Sequence, residues 1–194
     1  MRYHREDVVA RALVVLDEHG LADLTMRRLA SELGVQPSAL YHHVANKQAL
    51  LAAVADEILA RGARALPDAG WEVRARASCL VLREACLAWR DGAEVVATAR
   101  AFGLGGGAPY DELVGVLIGG GVDEELAATA ARTLLHYLLG HAMDEQLQRQ
   151  AGSAGALDAD PLHDHTADVT TGLDLVLTGL RVRRRRPHRA ARRA

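Results

Sequence analysis

Residues 25–47 read TMRRLASELGVQPSALYHHVANK, and the spacing predicts two short helices joined by a tight turn. Thr25 stands as an N-cap whose hydroxyl can accept from a free backbone N–H. Leu29, Ala30 and Leu33 make one apolar stripe at helical spacing. Gly34 follows, where a helix end takes a left-handed residue. Pro37 opens a second helix at the position where its missing N–H costs nothing. Leu40 and Val44, four apart, pack back on the first helix. Gln36, Ser38, Ala39, Tyr41, His42 and His43 remain on or near the outward face, where such side chains can meet base edges and phosphates.

The same spacing also fits a generic helical hairpin inside a core. Three details favour a surface that reads DNA. The outward face holds hydrogen-bonding and aromatic groups rather than a solvated Glu/Lys mixture. Arg27, Arg28 and Lys47 bracket it, and Lys47 is the only lysine of the chain. A long helix follows directly. The DNA-contact candidates are therefore Arg27, Arg28, Gln36, Ser38, Tyr41, His42, His43 and Lys47.

The rest of the chain is helical in pattern. Residues 5–19 carry Val8, Val9, Ala12, Leu13 and Leu16 on one face and stop at Gly20. Asn46 caps a helix from Lys47 to about Arg64, which Pro67-Asp68-Ala69-Gly70 breaks. Residues 71–90 put Val73, Ala77, Leu80, Val81, Ala85 and Trp89 on an apolar face, with Arg74, Arg76 and Arg83 mostly outside. Asp91-Gly92 turns into a short helix near 93–100. Gly103 to Ala108 mimics a dinucleotide-binding fingerprint, but no strand precedes it, so it reads as a flexible loop. Pro109 opens a helix that ends at Gly119-Gly120-Gly121. Asp123 caps a long helix to about Arg149, whose broad apolar face includes Leu126, Ala130, Thr133, Leu134, Tyr137, Leu138 and His141. Residues 151–165 read as a loop. A last helix runs from about 166 to 182 on Val169, Leu173, Val176, Leu177 and Leu180.

The fold expected is all-α. It has a three-helix head at 1–46, a body at 47–182 and a basic, disordered tail at 183–194. Charge follows these divisions. Residues 1–50 hold six basic and six acidic side chains, residues 51–180 nine and nineteen, and residues 181–194 eight arginines and no acid. An acidic body repels DNA, so contact falls to the head and the tail. No apolar run is long enough to span a bilayer, and the N-terminus lacks an apolar signal core; a cytoplasmic protein with no membrane partner is expected. Cys79 and Cys86 lie two helical turns, roughly 10 Å, apart, too far for a disulfide on that helix.

No nucleophile elbow, zinc-protease helix, phosphate loop or paired-cysteine metal site occurs, so no enzyme, cofactor or metal is expected. His163 and His165 read as surface-loop residues. His136 and His141 are five apart and do not share a face. A largely apolar pocket for an amphipathic ligand such as an antibiotic or polyketide is expected in the body. Its candidate lining is Leu82, Cys86, Trp89, Phe102, Leu117, Leu134, Tyr137 and His141. The last two long helices carry apolar faces broader than a monomer needs to bury and should pair in a homodimer. Two rival readings remain: a helical carrier or enzyme that has lost DNA binding, and a DNA-binding regulator with no ligand.

Over about residues 5–61 the chain resembles the tetracycline-repressor (TetR) family of one-component bacterial regulators. Leu24-Thr25-Met26-Arg27-Arg28-Leu29-Ala30, Leu33-Gly34-Val35, Ala39-Leu40-Tyr41-His42-His43-Val44 and Asn46-Lys47-Gln48-Ala49-Leu50-Leu51 carry the match. Trp71, Arg90-Asp91-Gly92-Ala93 and His136-Tyr137 with Gly140 resemble the ligand-binding half of the tetracycline-repressor branch. The resemblance implies a homodimeric repressor that a small molecule releases from a palindromic operator. It implies that Arg27 and the start of the second hairpin helix read bases, while Tyr41, His43 and Lys47 hold phosphates. Two histidines that such proteins use on the drug and its magnesium fall here at about Ala63 and Val96, which implies a ligand other than magnesium–tetracycline. Asp144 keeps an acidic side chain near the family's metal position.

Overall fold

In the computed structural model, residues 3–153 and 165–184 are described. The expected disordered tail at 183–194 fails at Arg183 and Arg184, which close the last helix, and the expected loop at 151–165 fails at 151–153 and His165, which are helical because the two flanking helices run further than their apolar stripes; the remainder of both, with His163, lies outside the described residues. The described residues form nine helices and no strand. None of these helices is long and apolar enough to cross a membrane.

The head comprises α1 (Arg5–His19), α2 (Met26–Glu32) and α3 (Pro37–Leu40). Asp7 accepts from the His4 backbone N–H at 2.7 Å and fixes the start of α1. Thr25 Oγ1 accepts from the Arg28 N–H at 3.1 Å, as the N-cap expectation required. Gly34 sits at φ 66°, the left-handed conformation that turns the chain between α2 and α3. One turn of helix does not persist alone in water. What holds α3 is burial: Leu40 is 1% exposed and Val44 4%, and burying one such side chain is worth roughly 1.5–3 kcal/mol.

Asn46 caps α4 (Lys47–Gly62), its side chain accepting from the Ala49 N–H at 2.8 Å. This helix packs against α1 on one side and α5 and α6 on the other. Leu50, Leu51, Val54 and Ile58 join head and body in one continuous apolar core. The body continues with α5 (Trp71–Leu87), α6 (Gly92–Ala101), α7 (Ala108–Gly119), α8 (Glu124–Ser153) and α9 (His165–Arg184). Asp123 caps α8, accepting from the N–H groups of Glu125 and Leu126. The long α8 packs on α5, α6, α7 and α9.

The body departs from the predicted faces on α5 and α8. The buried face of α5 is Ala75, Ser78, Cys79, Leu82, Ala85 and Cys86. Of the predicted stripe only Ala85 is buried; Ala77, Leu80, Val81 and Trp89 are half-buried, and Val73, on the opposite side of the helix, is 52% exposed. Thr133 is exposed on α8 and satisfies its hydroxyl on the Thr129 carbonyl. Arg83, expected outside, has a side chain only 11% exposed and donates to Glu145 on α8, whose side chain is 2% exposed. A carboxylate that deep needs a cation, and helical periodicity on α5 alone cannot reveal a partner 62 residues away. Cys79 and Cys86 are unpaired and buried; burial pushes both thiols up to about 12.

Candidate nucleic-acid interface and body cleft

The eight DNA-contact candidates gather on the hairpin and its flanks. Arg27, Gln36, Ser38, Tyr41 and His42 are exposed, with Tyr41 at 52%. Arg28, His43 and Lys47 are half-buried. Leu29, Ala30, Leu33, Leu40 and Val44 face inward, so the polar set is held on the other side by the packing of these five. A groove of about 460 Å³ beside α3 is lined by Val8, Val35, Ala39, Leu40, His42 and His43 with Tyr3. Arg28 Nε is buried and meets no hydrogen-bond partner among the described residues. Such an orphan donor is costly.

The head is fastened to the body at the turn between α5 and α6. Asp91, in the left-handed region at φ 55°, accepts from the Leu21 backbone N–H at 2.7 Å. Its other oxygen accepts from Gln150 Nε2 of α8 at 2.5 Å. Asp17 of α1 accepts from the Arg90 N–H at 3.1 Å. Gln146 of α8 donates to the carbonyls of Cys86 and Trp89 and accepts from the Ala93 N–H. One carboxylate thus ties the end of α1 to the far end of α8. Asp91-Gly92 reads as a turn in the sequence; nothing local signals that its side chain bridges two distant helices.

A cleft of about 450 Å³ opens between α4, α5 and α7. Leu59, Ala60, Ala63, Val81, Leu82, Ala85, Ala108 and Pro109 give it apolar walls, and Asp56, Arg64, Ser78 and Glu112 give it polar points. Ser78, 2% exposed, donates to Glu112 across the cleft at 2.6 Å. Of the eight pocket candidates, only Leu82 lines this cleft. Cys86, Leu117 and Leu134 are fully buried core. Phe102 is 61% exposed at the end of α6, because the chain turns there. Trp89 lies at the head–body turn under the Arg61 guanidinium, 5.5 Å away. Tyr137 and His141 face α9: the Tyr137 hydroxyl donates to the Asp168 carbonyl at 3.0 Å, and the two rings stand edge to face. The expected lining mixes a few aromatic and polar groups with aliphatics, whereas the walls of this cleft are mostly small aliphatics supplied by three helices.

Ala63 lines the cleft, while Val96 is buried in the core. The glycine stretch is a turn fastened to α4 rather than a free loop. The Gly106 N–H donates to Asp56 at 2.7 Å, and Arg100 donates to the Gly106 carbonyl at 2.7 Å. A Cβ at Gly105 would stand 2.9 Å from the Ala52 carbonyl oxygen, a close approach only glycine permits. Asp56 therefore faces the cleft and also holds the α6–α7 turn onto α4.

Residues 8–54 match the model of bacterial regulatory proteins of the tetR family. Residues 64–170 match the tetracyclin repressor-like C-terminal domain. The class D repressor of Escherichia coli is 47% identical over 97 residues, 48% of this chain and 44% of that protein. The class A repressor from transposon 1721 of Escherichia coli is 33% identical over 91% of this chain and 90% of its own. Among solved structures, Mycobacterium smegmatis BioQ is 43% identical at a TM-score of 0.86, covering 93% of this chain and 99% of its own. BioQ has also been solved with its natural double-stranded DNA operator, at 42% identity, a TM-score of 0.78 and the same coverage. A variant of TetR from Acinetobacter baumannii AYE, solved in complex with minocycline, is 33% identical at a TM-score of 0.77, covering 95% of this chain and 100% of that one. With both halves matched, head and body in one chain, this protein belongs to the tetR family of bacterial regulatory proteins.

Proposed function

We propose that this regulator is a homodimeric repressor whose hairpin reads a near-palindromic operator, and that a small amphipathic molecule in the α4–α5–α7 cleft releases it. The observation that carries the reading is the wall of the cleft. Five of its residues, Asp56 to Arg64, lie on α4 or just beyond its end. The same helix begins at Lys47, beside the hairpin, and packs against α1. A ligand wedged between α4 and α5 acts on the helix that carries the head. Its volume falls in the range of drug-sized sites, and the apolar walls with four polar points suit an antibiotic or polyketide. BioQ with its operator and TetR with minocycline are relatives for which DNA and a ligand are seen, and they support both halves of the reading.

Dimerisation is assigned to α8 and α9. Leu147 is 61% exposed, Leu175 73% and Val182 51%, and large apolar side chains at this exposure are suited to a two-fold partner. Two heads reach successive major grooves only when their reading helices stand about 34–36 Å apart, so a small pivot of α4 breaks the match. The ligand achieves this only by binding the mismatched arrangement more tightly. Arg27 and the start of α3 read bases; Tyr41, His43 and Lys47 hold phosphates. The test is titration of a protein–operator complex with tetracycline plus magnesium and with a panel of hydrophobic compounds. Release by a panel compound, with tetracycline weak because Ala63 and Val96 are not histidines, is the expected result. Release by low-micromolar tetracycline would refute the ligand argument.

A further inference from the structure

We propose that His141, Glu145 and His165 form a transition-metal site clamping the first turn of α9 to α8. One donor atom from each lies within 4.8 Å of the other two. His141 and Glu145 are one turn apart on the same face of α8, the separation at which side chains meet. His165 is the first residue of α9. The sequence hides this set, because His165 lies 24 positions from His141 and reads as part of a polar loop.

The surroundings are those of a metal ligand set. The His141 Nδ1 is buried and meets no hydrogen-bond partner among the described residues, and metal coordination is one way such an imidazole nitrogen is satisfied. The His141 and His165 rings stand perpendicular with centroids 5.9 Å apart, so they do not block each other's approach by stacking. The Glu145 side chain is 2% exposed, which takes it out of competition with water. Arg83 donates to its Oε2 at 2.5 Å, and Arg149 donates to its Oε1. Arg149 is 61% exposed, so its guanidinium can give up Oε1 to an incoming cation, which replaces its charge beside the buried carboxylate. Arg83 then remains on Oε2 and orients the carboxylate, the usual office of an outer partner.

Two imidazoles and a carboxylate select zinc or a neighbouring divalent ion, with the fourth position left to water. Bonds of about 2.0–2.1 Å put tetrahedral donors roughly 3.4 Å apart, so side-chain rotations of about an ångström close the set. The site shares no residue with the α4–α5–α7 cleft, and it stands or falls apart from the effector reading.

The experiment is cobalt titration of the full chain after chelator treatment, read by visible absorption, with zinc displacement. One equivalent of cobalt per chain with tetrahedral or five-coordinate bands is expected. His165→Ala, a first-turn change that circular dichroism should find folded, is expected to weaken binding at least about tenfold, and His141→Ala to do the same. The absence of saturable binding at one equivalent overturns the proposal. So does equal binding by wild type, His165→Ala and His141→Ala, which places the metal on other histidines.

Discussion

Head and body use the same helices and leucines but encode their functions at different range. In the hairpin of the head, the signals that place the helices and their outward face are local. Thr25 caps the helix three residues before Arg28, Gly34 turns it, Pro37 restarts it, and the outward residues are those left after the apolar ones are removed. In the body, each feature of the proposed control is assembled from afar. The cleft takes side chains from three helices, Asp91 reaches residues 70 positions back and 59 ahead, and Arg83 meets Glu145 across 62 positions. A reading surface can be written in twenty residues; a cavity exists only after the chain has packed.

The sharpest way to break this contrast is to remove a distant partner. Arg83→Ala leaves Glu145 buried with only the exposed Arg149, and truncating one side of a buried pair costs about 3–5 kcal/mol. Chemical denaturation should show that loss; a change under about 1 kcal/mol would mean that Arg149 alone suffices. Leu40→Ala tests the head in the same way. It removes the side chain holding α3 and should cost about 2–5 kcal/mol, with operator binding lost while α4 to α9 keep their helical signal.

Smaller effects separate function from stability. Arg27→Ala leaves packing untouched, since the residue is exposed, and should weaken operator binding by about 1–3 kcal/mol in a mobility-shift assay. Ser78→Ala removes one hydrogen bond in the cleft, worth about 0.5–1.5 kcal/mol. It should shift the effector dose response and leave operator affinity alone. A further effect concerns the thiols. Burial raises both folded pKa values from 9.0 to about 12, so the folded state holds these protons longer than the unfolded one. Their contribution is whole below about pH 9 and is lost as pH rises toward 12. Alkylation at pH 8 should therefore track unfolding, and rapid labelling of native protein would contradict the burial of Cys79 and Cys86.

The helices, their caps and the head's outward face were legible in the sequence, because periodicity and capping act within a few residues. Thr25, Asn46 and Asp123 cap as read. The cleft was not legible. The expected lining includes Phe102, Trp89 and Tyr137, yet they lie at a helix end, at the head–body turn and against α9. The lining instead uses Ala60, Ala63, Val81 and Ala85, which look like any core alanine or valine until three helices meet. The glycine stretch was legible as a turn, but its fastening to Asp56 depends on α4 lying beside it. Arg83 misled for the same reason: an arginine on a helix reads as solvent-facing until its partner is known.

On this reading the hairpin face reads DNA while the body supplies the control. Fluorescence anisotropy with duplex DNA from upstream of the gene tests it most directly. The comparison is between wild type and a variant carrying Arg27→Ala, Tyr41→Ala and Lys47→Ala, three side chains outside the buried core. Salt-dependent binding by wild type and its loss in the variant are expected, with thermal melting unchanged. Operator affinity that survives all three changes would contradict it, because the DNA would then be read by some other surface.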